Sequence, residues 1–295
     1  MAGAPPFTVK PDWAREGLGW PNRQASRFVQ AGGLRWHVQV MGDGPPLLLL
    51  HGSGAATHSW RDLAPDLARD FTVIAPDLPG HGFTGTPPGD GLSLGGMARG
   101  VRELLQALQM RPVMAAGHSA GAAVAIRMGL DGAIGPGGVV AFNGALKPFP
   151  GAAGHIFPVF AKLLFLNPLA IQAFAWRARS RGAVAELIES TGSTIDAAGL
   201  DFYRRLLGAS GHVAGALGMM AHWNLAPLVA DLPRLALPLT LVAADKDRAV
   251  PPAVARGVQA LVGGSRLILL PGLGHLAHEE APAKAAAIVR EAARL

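Results

Sequence analysis

The sequence predicts a doubly wound α/β architecture, a mostly parallel central sheet flanked by helices and interrupted by a helical insertion. Three observations carry that prediction. Residues 47–50, 139–142 and 267–270 are short, continuously apolar runs, and 71–75 and 239–243 are strand-like runs broken by one threonine each. A strand with one wet face alternates, so continuous runs point to strands buried on both faces, as in a parallel sheet. Stretches of helical spacing separate them, and across 92–109 Leu94, Met97, Val101, Leu104, Leu105 and Leu108 fall on one face. Finally, about 90 residues from Asn143 to near Leu232 keep a helical pattern without a convincing strand.

Taken in order, residues 1–25 are rich in Pro, Trp and Arg, lack periodicity and read as an extended N-terminal arm. Residues 26–41 hold two strand-like runs around Ala31-Gly32-Gly33, the signature of a hairpin. The run 47–50 ends in His51-Gly52-Ser53-Gly54, a helix is expected over 60–68, and the run 71–75 leads into Pro76-Asp77-Leu78-Pro79-Gly80-His81-Gly82. The resulting division is a core of residues 1–142 and 233–295 with a helical cap over 143–232. With half of 295 residues hydrophobic, the chain can bury a large core.

Composition removes several function classes. The absence of cysteine excludes a disulfide framework, a thiolate nucleophile and a cysteine-ligated metal. The net charge of +6 comes almost entirely from arginine, without a basic block interleaved with aromatics, so nucleic acid is not an expected partner. An anionic membrane surface or an acidic small molecule stays open. Met1-Ala2-Gly3-Ala4-Pro5-Pro6 has no basic segment ahead of an apolar one, so a cytoplasmic location is expected. Gly52-Ser53-Gly54 lacks the third glycine of a dinucleotide fingerprint, and His275 and His278 have no evident third ligand. No cofactor or metal is expected.

The chemistry centres on Gly117-His118-Ser119-Ala120-Gly121, where an apolar run meets an Ala-rich segment of good helix propensity. A serine on so sharp a strand-to-helix turn is held in a strained backbone, and the glycines avoid Cβ collisions with the neighbouring strand and helix. A serine hydroxyl needs a base, and the base an acid to orient it. In open α/β sheets these groups lie beyond the carboxyl ends of strands. Two later segments qualify: Ala244-Asp245-Lys246-Asp247 after the run 239–243, and Gly272-Leu273-Gly274-His275 after 267–270.

His51-Gly52, the 77–82 turn, Gly117 to Gly121, Asp247 ahead of Val250-Pro251, and Gly274-His275 together resemble the α/β-hydrolase superfamily over about residues 26–295. The resemblance implies the α/β-hydrolase fold with Ser119 as nucleophile and His275 as base. It also selects the acid, since the family's acid typically stands three residues before a Val/Ile-Pro pair, which is Asp247; Asp245 then reads as a solvated loop carboxylate. The backbone N–H groups of Ala120 and Ser53 would form the oxyanion hole. His51, His81 and His118 would make structural hydrogen bonds. Related dehalogenases and epoxide hydrolases use an aspartate where this chain has Ser119, so the implied reaction is acyl transfer through an acyl-serine on a hydrophobic small molecule.

The arm from Trp13 to Arg27, with Leu34-Arg35-Trp36-His37 and the stretch from His51 to Arg61, is similar to the magnesium-chelatase accessory family of bacteriochlorophyll biosynthesis. That similarity implies a place near magnesium insertion into protoporphyrin IX, with a porphyrin or a magnesium chelatase subunit as partner. It leaves two readings, an active serine hydrolase or a non-catalytic accessory protein. Residues 155–176 carry one charged residue, Lys162, are broken by Pro158 and Pro168, and are followed by Arg177, Arg179 and Arg181. This segment either packs on the core or forms an apolar lid over Ser119. In the second case the three arginines would hold a carboxylate-bearing substrate and rest peripherally on an anionic, photosynthetic membrane.

Overall fold

A computed structural model of the chain describes residues 8–148 and 164–294. The eight strands follow the order β1-β2-β4-β3-β5-β6-β7-β8. β1 (Ser26–Ala31) and β2 (Leu34–Met41) pair antiparallel, and β2 runs antiparallel to β4 (Thr72–Pro76). β3 (Pro46–Leu50), β4, β5 (Met114–His118), β6 (Gly138–Phe142), β7 (Leu239–Ala244) and β8 (Arg266–Leu270) are parallel. Gly32 and Gly33, with φ of 55° and 74°, supply the left-handed conformation that a two-residue hairpin turn needs at both positions.

Both faces of the sheet are covered, as the continuous apolar runs require. Leu48 and Leu50 of β3 face one layer, with α2 (Leu94–Ala107), α3 (Ala120–Leu130) and α9 (Pro252–Gln259). Leu47 and Leu49 face the other, with α1 (Leu63–Leu67), α10 (Ala277–Glu280) and α11 (Pro282–Ala292). Between β6 and β7 lie α4 (Pro168–Arg177), α5 (Arg181–Ser190), α6 (Ala197–Leu207), α7 (Ser210–Ala221) and α8 (Ala226–Asp231). Asn167 and Asp196 cap α4 and α6, each side chain accepting backbone N–H groups of the first turn.

Register places the site. His118 lies beside Phe142, and Phe142 beside Val242, so the chain leaves β5, β6 and β7 at one edge of the sheet. The Ser119 N–H donates to the Phe142 carbonyl at 3.0 Å and the Asn143 N–H to the Val242 carbonyl at 2.7 Å, continuing the ladder one residue past each strand.

Three expectations change. The described part of the arm, residues 8–25, is not extended: residues 13–19 run in turns and Arg23–Ala25 forms a 3-10 helix. Aromatic burial folds it back. Trp20 is buried, donates from Nε1 to Thr57 Oγ1 at 3.0 Å, and meets Phe83 and Phe202 edge-on. The helix expected over 60–68 begins only at Leu63, after a 3-10 turn Thr57–Trp60. Pro65 has no N–H for the Arg61 carbonyl and is tolerated only in the first turn. β8 stands at the sheet edge with Leu269 44 % exposed, so there continuous apolarity did not mean burial on both faces. Of the apolar stretch 155–176, residues 155–163, with Pro158 and Lys162, lie outside the described residues.

Candidate active site

Ser119 sits between the end of β5 and the start of α3 with φ 51° and ψ −116°, a conformation that L-residues rarely adopt. The surrounding glycines explain how the turn closes. A Cβ on Gly117 would stand 2.5 Å from the Gly121 carbonyl oxygen, and one on Gly121 would collide with the Leu50 and His51 carbonyl oxygens. The pattern Gly-x-Ser-x-Gly is therefore a packing requirement here.

His275 lies in the loop after β8, and its Nδ1 is 2.8 Å from Asp247 Oδ2. Asp247 is buried and receives three more donors: Asn143 Nδ2 at 2.7 Å on Oδ2, and the Ala249 and Val250 N–H groups, both at 2.8 Å, on Oδ1. A carboxylate with this many donors accepts and cannot swing away, so Nδ1 carries the proton and Nε2 is left as the acceptor. Asp245 takes a different course. It is exposed, and its Oδ1 accepts from the Gly272 N–H at 2.7 Å. The loop geometry thus pairs His275 with Asp247.

The histidines expected to be structural all bond to backbone. His51 Nε2 accepts from the Leu78 N–H at 2.9 Å while Nδ1 donates to Gly52 O at 2.8 Å. His81 Nδ1 donates to Pro79 O at 3.1 Å. His118 Nε2 donates to the His275 carbonyl at 2.9 Å, and burial, helped by the neighbouring His278 and His275, holds its ring well below the usual histidine range. His278 stacks between His118 and Trp60 at centroid distances of 4.4 and 4.6 Å. Among the described residues no group of three or more His, Asp or Glu could hold a metal ion, and no single helix is long and apolar enough to cross a membrane.

Ser119, His275, Ser53 and Ala120 share the wall of one cavity of about 1290 Å³. Among the described residues the Ser53 and Ala120 N–H groups donate to no protein acceptor, as an oxyanion site requires. The roof comes from the insertion, including Phe174, Tyr203, Val213 and Met219, and is almost wholly apolar. Leu164, Ala170 and Phe174 bring the described part of the apolar stretch to the wall of the same cavity as Ser119.

The three arginines after that stretch are elsewhere. Arg177, Arg179 and Arg181 are exposed, with Arg177 paired to Glu186 at 3.1 Å and Arg181 near Asp201 at 3.9 Å, and none lines the cavity. These alternate positions at the junction of two helices point outward while Ala178 between them faces the core. The cations on the cavity wall are Lys147 and Arg248.

Sequence reasoning also missed Asn143 and a buried ion pair. Asn143 follows β6 at φ 47°, and an asparagine between a strand and Gly144 was the available signal. Glu279 is buried, takes Arg61 Nη1 at 2.5 Å and the Tyr203 hydroxyl at 2.7 Å, and so ties the short helix Ala277–Glu280 after His275 to the insertion. Burial pushes its carboxyl up to about 7, against the pull of Arg61 and Tyr203. No sequence signal joins three residues so far apart.

Residues 45–282 match the family model of the alpha/beta hydrolase fold. A magnesium-chelatase 30 kDa subunit from Rhodobacter capsulatus is 41% identical over 264 residues, covering 89% of this chain and 92% of that protein. Among solved structures, the epoxide hydrolase CorEH has a TM-score of 0.76 at 22% identity, covering 90% of this chain and 97% of its own. An esterase from Exiguobacterium antarcticum has a TM-score of 0.74 at 18% identity, covering 91% and 99%. These two neighbours share the fold and speak to nothing finer.

Proposed function

The chain belongs to the α/β-hydrolase family and, within it, groups with the magnesium-chelatase 30 kDa subunit; from that premise we propose that it is a serine hydrolase. It works through an acyl-serine on a hydrophobic ester or related acyl compound, near the magnesium-chelatase step of bacteriochlorophyll biosynthesis. The observation that carries this reading is the His275–Asp247 hydrogen bond of 2.8 Å, with His275 in the cavity wall that also holds Ser119.

The chemistry follows from the donors and acceptors. His275 Nε2 takes the Ser119 proton as Oγ attacks the acyl carbonyl, and Asp247 steadies the imidazolium through Nδ1–H. The Ser53 and Ala120 N–H groups receive the oxyanion, aided by the positive end of α3. His275 then protonates the leaving group, and a water activated by the same imidazole releases the acyl group from Ser119. The insertion acts as a cap whose apolar wall excludes water and strengthens each of these electrostatic contacts.

The second reading, an accessory protein that holds a porphyrin or a chelatase subunit without turnover, is favoured by the name of the Rhodobacter relative. Labelling with a fluorophosphonate probe separates the two. The hydrolase reading expects Ser119 to be labelled in the wild type and no labelling in Ser119→Ala. A wild type that resists the probe and cleaves no acyl ester leaves the accessory reading in its place.

A further inference from the structure

Among the described residues, Lys147 and Arg248 are the Lys and Arg side chains on the cavity wall, and no Asp or Glu shares that wall. Among the described residues neither cation enters an ion pair, whereas Arg61, Arg127, Arg205 and Arg290 are all matched with carboxylates. The segments outside the described residues offer no Asp or Glu side chain, since 1–7 and 149–163 contain none. The two cations come from loops after neighbouring strands β6 and β7, the same loops that supply Asn143 and Asp247. Both positions are built. The Arg248 N–H donates to the Thr191 carbonyl of the insertion at 3.0 Å. Lys147 lies along Gly257 inside α9, where a Cβ would stand 2.9 Å from Nζ. Glycine in a helix interior is destabilising relative to alanine, and here its missing Cβ leaves room for the ammonium.

We propose that the compound taken into this cavity is an apolar acyl compound bearing a carboxylate remote from the scissile bond, held by Lys147 and Arg248. This rests on the hydrolase reading of the same site and names its substrate class. Lys147 is half-buried and Arg248 exposed, so the apolar wall strengthens an anion's attraction chiefly at Lys147, while Arg248 adds a more screened charge. They also penalise a neutral ligand, which would cover them without replacing their water.

The test compares paired chromogenic esters, the mono-p-nitrophenyl esters of adipic, suberic and sebacic acids against neutral p-nitrophenyl esters of equal chain length. The wild type is expected to favour the acidic member at one or more chain lengths. In Lys147→Gln/Arg248→Gln the ratio of kcat/KM for acidic over neutral ester should fall roughly tenfold, mainly through KM. The wild-type preference should also weaken with added salt. An unchanged ratio overturns the proposal. If neither ester is cleaved by the wild type, the hydrolase reading fails, and calorimetry with dodecanoate and methyl dodecanoate still decides the charge question. Preferential binding of dodecanoate that the double variant loses supports an anion site. Equal binding of the two compounds, or a double variant that matches the wild type, overturns it.

Discussion

Asp77–His37–Ser26 and Asp247–His275–Ser119 use the same three residue types and, at the carboxylate, nearly the same geometry. In each the imidazole Nδ1 lies 2.8 Å from Oδ2. In each, backbone N–H groups hold the carboxylate, from Thr57 and Phe83 for Asp77 and from Ala249 and Val250 for Asp247. The arrays part at the third member. Ser26 lies in regular strand β1, and its hydroxyl is engaged by His37 Nε2 at 3.0 Å and Gln39 Nε2 at 3.2 Å. The His37 ring is sealed under Trp13, Phe28 and Phe83 at centroid distances of 4.9 to 5.3 Å. Ser119 sits instead on a strained turn in the wall of a large cavity. Residue types and an Asp–His bond do not make an active site; access and a serine without competing partners do. The first array clamps the 77–83 turn to the hairpin, and we assign the second to catalysis.

The largest expected effect tests the second array. Asp247→Asn should lower kcat on an activated ester by about 10⁴-fold, because the amide favours the wrong tautomer of His275. Asp245→Asn and Ser26→Ala should stay within a few-fold of wild type. The reverse ranking, read from steady-state kinetics, would assign the wrong carboxylate.

Next comes the clamp. Asp77→Asn unpairs a fully buried carboxylate–imidazole contact and should cost about 3 kcal/mol in urea unfolding, with Ser26→Ala costing about 1 kcal/mol or less. Burial alone would raise the Asp77 carboxyl, but His37, with His51 and the Phe83 N–H, holds it far below the usual carboxylate range. Its contribution is therefore present above the ordinary value of 3.8 and lost as the pH falls below it. The stability gap between wild type and Asp77→Asn should narrow in acid. A gap that is absent at neutral pH would mean that the pair clamps nothing.

The smallest effect concerns the roof. With Glu279 raised from 4.5 to about 7, the folded state holds that proton more tightly than the unfolded chain does. Stability from this group is complete below pH 4.5 and declines as the pH rises toward 7. Glu279→Gln should flatten that part of the curve, measured as melting temperature against pH. An identical slope in both proteins would remove Glu279 as the source.

Much of this was legible beforehand for local reasons. Leu47 to Leu50 announce a doubly buried strand because each face of the sheet needs its own apolar layer. Gly117 and Gly121 announce the turn because no Cβ fits there. Asp247 is separable from Asp245 only through the family spacing, and Val250, three residues on, donates its N–H to Asp247 Oδ1. The arm was read as extended because Trp13 and Trp20 lack periodicity, yet their partners Phe83 and Phe202 stand far along the chain. The lid alternative for residues 155–176 makes Arg177, Arg179 and Arg181 binding groups by adjacency alone, and adjacency does not tell which side of a helix pair faces a cavity.

The sequence by itself determined most of the strands and the strained serine turn, since each depends on contacts within a few residues, while the choice of Asp247 as partner of His275 rested on the family resemblance. The tertiary structure decided which groups meet. Strand order sets β6 between β5 and β7, so Asn143 reaches Asp247 across 104 positions and His118 reaches the His275 carbonyl across 157. The same neighbourhood of strand ends puts Lys147 and Arg248 on one wall while Arg177, Arg179 and Arg181 face solvent. Side chains so far apart in sequence share a site only because hydrogen-bonded strands bring their ends together, and that pairing is a property of the packed sheet.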